Sequence, residues 1–265
     1  MGGLCDNIEA PNKLFFKNYK ELEDNLRLSG VETLQTALFI DFSKSNNWTG
    51  EKTYGFSLHD KNQQLTPYEA VLKTLAPILK NFDDDDLYPV FRFGCMDTKD
   101  RTVVPLLFPQ QQDPHFNGMQ TVCDAYRQAL NFVTLSGPTT LAPAITQGIS
   151  ICKAYQAQGN KQQVILLIIT DGDVSDEVRD CQAVCDASNY PISICVIGVG
   201  DGPFDKMERF DDLKKGRKFD NFHFTDFTEF MKKAQRMENP ELQFAAEIFV
   251  EIGAQFKAMT KLGVL

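Results

Sequence analysis

The segment VILLIITDG, Val164–Gly172, joins six consecutive apolar residues to a threonine, a carboxylate and a glycine. A strand that is apolar at every position is typical of the centre of a parallel sheet, where helices cover both faces. In such sheets, ligands bind beyond the carboxyl ends of the strands, near the point where the strand order reverses. The segment therefore predicts a buried central strand that places Asp171 at the functional edge of a sheet.

Apolar runs elsewhere in the chain alternate with helical patterns. Strands are predicted at Ala37–Ile40, Leu87–Phe93, Val103–Phe108, Ile192–Val199 and Asn221–Phe224. Helices are predicted at Tyr68–Asn81, Gly118–Phe132, Ala142–Gln156, Val174–Ser188 and Phe227–Met237. This alternation predicts an α/β fold with a mostly parallel sheet between two helical layers. Because no helical pattern separates the second and third strands, we expect a hairpin there and one antiparallel edge strand.

Both ends of the chain carry helical patterns. Residues Asn18–Ser29 are polar and amphipathic, which predicts a helix outside the main core. Apolar residues recur at spacings of three and four along Pro240–Lys261, which predicts a final helix laid on the same domain. We therefore expect an N-terminal extension over residues 1–32 and one domain over residues 33–265.

Composition limits the classes of partner. The formal net charge of −9 disfavours nucleic-acid binding and charge-driven adsorption on anionic membranes. No apolar run reaches the roughly 18 residues of a membrane-spanning helix, and the N-terminus lacks the pattern of a secretory signal. Seven cysteines, several of them inside apolar runs, are typical of reduced thiols in the cytoplasm.

The N-terminus offers an alternative function. Gly2 and Cys5 resemble the start of a doubly acylated protein, although Asp6 stands where the myristoylation pattern has serine or threonine. An unmodified N-terminus is the favoured interpretation. The alternative is a scaffold at a membrane or the cytoskeleton that acts through acylation or through oligomers of the final helix, and the oligomeric state stays open.

Polar residues cluster where the predicted strands end. DFSKS, Asp41–Ser45, follows the first strand, and SGPTTLAP, Ser136–Pro143, precedes the helix that leads to the central strand. Because the first and the central strands are expected to be neighbours, Asp41 and Asp171 would lie side by side. Two adjacent carboxylates repel each other unless a proton or a cation lies between them.

The side chains around these carboxylates indicate which cation would fit. Neutral hydroxyl oxygens are available from Ser43, Ser45 and Thr139. Carboxylates and hydroxyls without histidine or cysteine are typical ligands of a hard divalent ion. Mg²⁺ is favoured because it keeps several waters when few protein ligands are available, with Mn²⁺ or Ca²⁺ as alternatives. The competing interpretation is that the two aspartates only cap the turns that follow them.

These motifs resemble a known family. DFSKS resembles the D-x-S-x-S signature of the von Willebrand factor A (vWA) domain, and TDG and GPT resemble its two other ion-binding loops. NNWTG, FRFG and KFDNFHFTDFTEFM resemble the branch that copines share with plant RING-type ubiquitin ligases. The resemblance covers about residues 33–265 in the same order.

The resemblance implies a Rossmann-like sheet with a metal-ion-dependent adhesion site at its edge. The implied metal ligands are Asp41, Ser43, Ser45, Thr139 and Asp171, and an acidic side chain of a partner protein would complete the coordination. Only about 32 residues precede the matching region, and no C-x-x-C pair follows it. We therefore expect neither the calcium-dependent lipid-binding domains of copines nor a RING, and we predict a non-enzymatic, cytoplasmic protein-interaction module.

Other motifs receive ordinary structural interpretations. There is no G-x-S-x-G elbow for a serine hydrolase. A magnesium-dependent phosphatase with Asp41 as nucleophile normally has a second carboxylate two residues on, where Ser43 stands here. His59 and His223 are interpreted as structural, and Asp83–Asp86 as a solvated turn rather than a calcium loop.

Overall fold

The computed structural model describes residues 15–83, 85–172, 174–213 and 215–265. The strands in these ranges are β1 (Leu34–Asp41), β2 (Leu87–Phe93), β3 (Val104–Pro105), β4 (His115–Asn117), β5 (Gln163–Thr170), β6 (Ile192–Gly198) and β7 (Phe222–Asp226). The α-helices are α1 (Tyr19–Leu28), α2 (Pro67–Phe82), α3 (Met119–Ala129), α4 (Ala142–Ala157), α5 (Glu177–Ala187), α6 (Asp205–Asp211), α7 (Phe227–Ala234) and α8 (Pro240–Leu262).

The strands form one sheet in the order β3-β2-β1-β5-β6-β7. The pairs β2–β1, β1–β5, β5–β6 and β6–β7 are parallel, whereas β3 and β4 both pair with β2 in the antiparallel direction. The predicted Rossmann-like α/β fold of the vWA type is thus confirmed, including the hairpin between the second and third predicted strands. Strand order reverses between β1 and β5, so their carboxyl ends meet in the middle of one sheet edge.

Strand β5 is central because its two faces pack into two separate cores. Every residue of β5 is buried. Ile165, Leu167 and Ile169 belong to the core that contains apolar residues of α2 and α8. The alternate residues of β5 lie in the second core, with apolar residues of α4 and α5. Full burial of one such aliphatic side chain contributes about 1.5–3 kcal/mol, so the apolar run holds the sheet in the middle of the molecule.

The first helix differs from its predicted position. Helix α1 begins after Asn18, whose side chain accepts a hydrogen bond from the Glu21 backbone N–H. Leu22 and Leu26 are fully buried and belong to the same core as the apolar face of α8. The prediction that this helix lies outside the main core is therefore wrong, because two leucines one turn apart are enough to anchor it. The division into residues 1–32 and 33–265 stays a prediction.

Three further differences come from short or local features. Helix α6 was not predicted, because seven residues are too few to show a helical period. Strand β4 is only three residues long and gave no strand signal. Asp83 is buried rather than solvated, since its carboxylate accepts a hydrogen bond from the backbone N–H of Thr36 in β1.

The described part of the chain contains no helix that is both long and apolar enough to cross a membrane. Gly2 and Cys5, the residues for which acylation was considered, lie outside the described residues.

Candidate metal centre

The carboxyl ends of β1 and β5 lie side by side, with Ile40 opposite Ile169 in the parallel register. The next residues, Asp41 and Thr170, are joined directly, because the Thr170 hydroxyl donates a 2.7 Å hydrogen bond to Asp41 Oδ2. The other carboxylate oxygen of Asp41 accepts a 2.7 Å hydrogen bond from the Ser43 backbone N–H. The strand register and these two bonds fix the orientation of the Asp41 carboxylate.

The loop after β1 turns its hydroxyl groups toward each other. Ser43 Oγ and Ser45 Oγ are 3.0 Å apart, and both residues are buried. A short 3-10 turn over Lys44–Asn47 places them on the same side of the backbone. The Asn46 side-chain amide donates to Ser43 Oγ at 3.1 Å and to the Ser43 carbonyl at 3.1 Å. These hydrogen bonds hold the two serines of the loop close together.

Thr49 connects this loop to the end of β5. Its hydroxyl lies 2.9 Å from Asp171 Oδ2 and 3.0 Å from the Ser45 carbonyl oxygen. Asp171 is 1% exposed. The second predicted carboxylate is therefore tied to the same loop that supplies the two serines.

The loop before α4 brings in Thr139. Its carbonyl accepts hydrogen bonds from the Ser175 backbone N–H at 2.9 Å and from the Ser175 hydroxyl at 2.8 Å. The Thr139 hydroxyl is buried and has no hydrogen-bond partner among the described residues. The adjacent Thr140 hydroxyl instead donates to the buried carboxylate of Asp180. Asp180 thus engages one of the two neighbouring hydroxyls and leaves the other available for a ligand.

Gly94, at the end of β2, lies at the point where these groups converge. A Cβ atom at Gly94 would lie 2.7 Å from Asp41 Oδ1, 3.0 Å from the Ser43 nitrogen and 3.0 Å from Thr139 Oγ1. These distances are shorter than van der Waals contact, and the φ of +73° at Gly94 also favours glycine. The absence of a side chain at this position lets the two loops approach each other.

The electrostatics of the cluster favour a bound cation. Burial, together with the negative charge of Asp171, raises the pKa of Asp41 to about 8. Among the described residues, no lysine or arginine lies within ion-pair distance of Asp41. Two buried carboxylates that lie close together repel each other, and a proton or a positive ion between them stabilises the pair.

A layer of aromatic residues supports the cluster from below. His59 Nε2 lies 2.8 Å from the Asp41 carbonyl oxygen, and Nδ1 lies 2.8 Å from the Tyr126 hydroxyl. The imidazole stacks between Phe42 and Tyr68, with centroid distances of 4.5 Å and 4.3 Å. Burial lowers the pKa of His59 to about 4, so the ring is neutral at pH 7 and adds no charge to the site.

The structure brings all five sequence-predicted residues to one buried cluster at the sheet edge. They are Asp41, Ser43, Ser45, Thr139 and Asp171, each at most 4% exposed. In the described ranges, no three acidic, histidine or cysteine side chains form a metal-binding group by themselves. Any ion here would therefore depend on hydroxyl and water ligands. Within the described residues, the Thr139 hydroxyl has no hydrogen-bond partner and the Asp41 carboxylate has no lysine or arginine at ion-pair distance. Together with the space at Gly94, these features fit a hard divalent ion.

Sequence reasoning did not identify several residues that build this cluster. Thr49 and Gly94 were present only inside the motifs NNWTG and FRFG, and nothing in either motif showed which residue would face the carboxylates. Asp180 is one of several acidic residues in α5, and nothing in the sequence distinguishes it from the others. These residues act through contacts between segments that are distant in sequence, so no local signal could reveal them.

Comparison with known proteins gives a family match. The family model described as Copine matches residues 57–265. The match includes Thr139 and Asp171 and begins after the DFSKS loop. The chain is 36% identical over 260 residues to E3 ubiquitin-protein ligase RGLG3 of Arabidopsis thaliana, a match that covers 93% of this chain and 69% of that protein. It is 35% identical over 246 residues to Copine family protein 1 of Caenorhabditis elegans, covering 92% and 22% respectively.

One solved structure overlaps with this chain at low identity. The chain superposes on a von Willebrand factor type A protein from Catenulispora acidiphila with a TM-score of 0.47 and 13% identity, over 82% of this chain and 43% of that one. Nothing about function follows from an overlap of this quality.

The comparisons correct the prediction of a non-enzymatic protein. RGLG3 and four further relatives, at 33–34% identity, are named E3 ubiquitin-protein ligases, which is an enzymatic activity. The prediction is therefore wrong. It was based on the absence of C-x-x-C pairs from this sequence, whereas five relatives of the chain are named as ligases. The chain spans 55–69% of the length of these ligases.

Proposed function

The chain belongs to the copine family, and from this premise we propose that it is a divalent-metal-dependent protein-binding module of the vWA type. Asp41, Ser43, Ser45, Thr139 and Asp171 would hold the ion, directly or through water. When bound, the ion supplies a positive charge that attracts an acidic side chain of a partner protein. The observation that carries the proposal is the convergence at one point of two buried carboxylates and the Thr139 hydroxyl, which has no hydrogen-bond partner among the described residues.

The protein's own residues prepare this site. Thr170 and the Ser43 backbone hold the Asp41 carboxylate, and Thr49 holds that of Asp171. Groups fixed in this way lose little conformational entropy when a ligand binds. Mg²⁺ is the preferred candidate, since it binds proteins through one or two carboxylates and fills its other positions largely with water, and Mn²⁺ or Ca²⁺ are alternatives.

Titration calorimetry with Mg²⁺, Mn²⁺ and Ca²⁺ tests the metal step. The wild type should bind at least one of these ions, and Asp41→Ala and Asp171→Ala should abolish the binding heat. Asp124→Ala is a matched control, because Asp124 is an exposed carboxylate on α3. Equal heats for the wild type and Asp171→Ala would contradict the proposal.

Partner capture needs a separate measurement. A pull-down from extracts of the native cell, with Mg²⁺ or with EDTA, should recover partners that depend on the metal and on Asp41. Asp124→Ala should recover the same partners as the wild type. Partners that bind Asp41→Ala equally well in EDTA would show that this edge is not the binding surface.

A second candidate function follows from the relatives named as E3 ubiquitin-protein ligases. We propose that the chain participates in ubiquitin transfer, with the metal edge selecting the protein that is modified. The test is an assay with purified chain, ubiquitin, an activating enzyme, a panel of conjugating enzymes and ATP. Conjugates that require the chain would support this function, and their absence with every conjugating enzyme would contradict it for the chain alone.

A further inference from the structure

A second polar cleft lies beside the candidate metal centre. Its volume is about 150 Å³, and its lining includes Arg101, Thr102, Thr146, Gln147 and Arg179. The two arginines come from different segments, the loop after β2 and the first turn of α5. Among the described residues, no carboxylate belongs to the lining. In a chain with a net charge of −9, a concave site with two positive charges and no negative one is unusual.

The arginine side chains are available for a ligand. In the described part of the chain, neither guanidinium lies within ion-pair distance of a carboxylate. Arg179 Nη1 donates a 2.6 Å hydrogen bond to the Asp100 carbonyl oxygen, which fixes one end of its guanidinium at the cleft. Both residues are exposed at the surface.

Three acidic residues near the two arginines in the sequence have partners of their own, and Asp100, which precedes Arg101, is not among the lining residues. Asp97 pairs with the buried Arg92 at 2.8 Å. Asp176 accepts a hydrogen bond from the Arg179 backbone N–H and caps α5. Glu177 pairs with Arg209 at 2.8 Å. None of these three carboxylates forms an ion pair with Arg101 or Arg179 in the described part of the chain.

We propose that this cleft binds a phosphoryl group carried by a phosphoserine or phosphothreonine of a partner protein. Arginine binds phosphate oxygens through two parallel hydrogen bonds, and clusters of arginine are a recurrent mode of phosphopeptide recognition. The hydroxyl of Thr146 and the amide of Gln147 are further donors for the same oxygens. A cleft of this size takes one phosphoryl group and a few waters rather than a polyanion.

The position of the cleft and the charge of the chain favour a protein as the source. Ser175, which is bonded to the Thr139 carbonyl, lies four residues before Arg179. Four residues of extended chain span at most about 14 Å, so one partner segment could reach both sites. Nucleic acids and anionic membranes present many negative charges at once, and a chain with a net charge of −9 repels them.

Fluorescence anisotropy in EDTA tests this proposal independently of the metal. The probes are a fluorescein-labelled degenerate peptide pool with a fixed central phosphoserine and the same pool with serine. The wild type should bind the phosphorylated pool at least about tenfold more tightly. Arg101→Ala and Arg179→Ala should each weaken binding several-fold, and the double variant should bind both pools equally. Arg236→Ala, which removes an exposed arginine elsewhere, should behave as the wild type.

Several outcomes would overturn the proposal. They are equal binding of the two pools by the wild type, or unchanged phosphopeptide binding by the double variant. Binding of inorganic phosphate alone, or of vesicles that contain phosphoinositides but not of phosphopeptides, would also overturn it. Arg101→Ala removes no side-chain hydrogen bond to the described residues, so a folded variant is available even if Arg179→Ala disturbs its loop. The Asp41→Ala variant should retain phosphopeptide binding, which separates failure of this proposal from failure of the metal site.

Discussion

The hydroxyl of Thr49 lies 2.9 Å from Asp171 Oδ2, although the two residues are 122 positions apart in the chain. This hydrogen bond joins the loop after β1 to the end of β5. It fixes one of the two carboxylates that face each other at the sheet edge, and several expectations follow from the way that this edge is held.

Removal of the Thr49 hydroxyl should destabilise the fold. Thr49→Val keeps the shape of the side chain and loses the bond to the Asp171 carboxylate, which should lower the free energy of unfolding by about 1.5–3 kcal/mol. Urea denaturation at pH 7 measures the difference. Thr49→Ser retains the hydroxyl and should lose less. Equal stability of the valine and serine variants would show that the hydrogen bond contributes nothing.

Gly94→Ala should disrupt the candidate metal centre. The new methyl group would lie 2.7 Å from Asp41 Oδ1, so the backbone or the carboxylate must move. Gly55→Ala is the matched control, because Gly55 has a similar φ of +78° and no heavy atom within 4 Å of the added Cβ. Gly55→Ala should cost only about 1 kcal/mol of conformational strain, and Gly94→Ala clearly more. Thermal unfolding of both variants, followed by circular dichroism, compares them.

The two neighbouring threonines should separate stability from metal binding. Thr139→Ala removes a buried hydroxyl that has no partner in the described ranges, so the unfolding free energy should change little while affinity for the divalent ion falls. Thr140→Ala deprives the buried Asp180 carboxylate of a donor and should cost about 1–3 kcal/mol. Denaturation and metal titration of both variants give the four values needed. A large stability loss in Thr139→Ala would contradict the assignment of roles.

Asp83 should make stability depend on pH at the opposite end of β1. Burial, and then the neighbouring carboxylate of Asp85, raises the pKa of Asp83 to about 8 in the folded chain. In the unfolded chain, the carboxyl group of Asp83 has a pKa of about 3.9. Between these values the folded state holds a proton that the unfolded state has lost, so the free energy of unfolding falls as pH rises from about 4 to about 8.

Asp83→Asn removes this titration and keeps an acceptor for the Thr36 N–H. The variant should gain stability relative to the wild type as pH rises through that window, and the difference should level off above about pH 8. Urea denaturation at a series of pH values measures it, with the exposed Asp124→Asn as a control. A difference that does not vary with pH would show that Asp83 is ionised in the folded protein at pH 7.

The fold could be predicted from the sequence because a buried face produces a periodic pattern of apolar residues. The uninterrupted apolar run Val164–Ile169 belongs to a strand that is covered on both faces. The helices Tyr68–Asn81 and Ala142–Gln156 were located to within a few residues. Each of these patterns is local, so composition and spacing contain it. Segments too short to complete a period, such as β4 and α6, showed no recognisable pattern of apolar residues.

The DFSKS and TDG motifs determined which carboxylates would lie at the sheet edge, because parallel strands deliver their carboxyl ends to the same place. Only the tertiary structure decided which groups surround them. It placed Gly94 against Asp41, turned Thr140 toward Asp180, buried Asp83 and brought Arg101 and Arg179 to one cleft. The physical reason is that the spacing of apolar residues along the chain shows which face of a helix or strand is buried. The contacts between loops depend instead on how segments distant in sequence pack together.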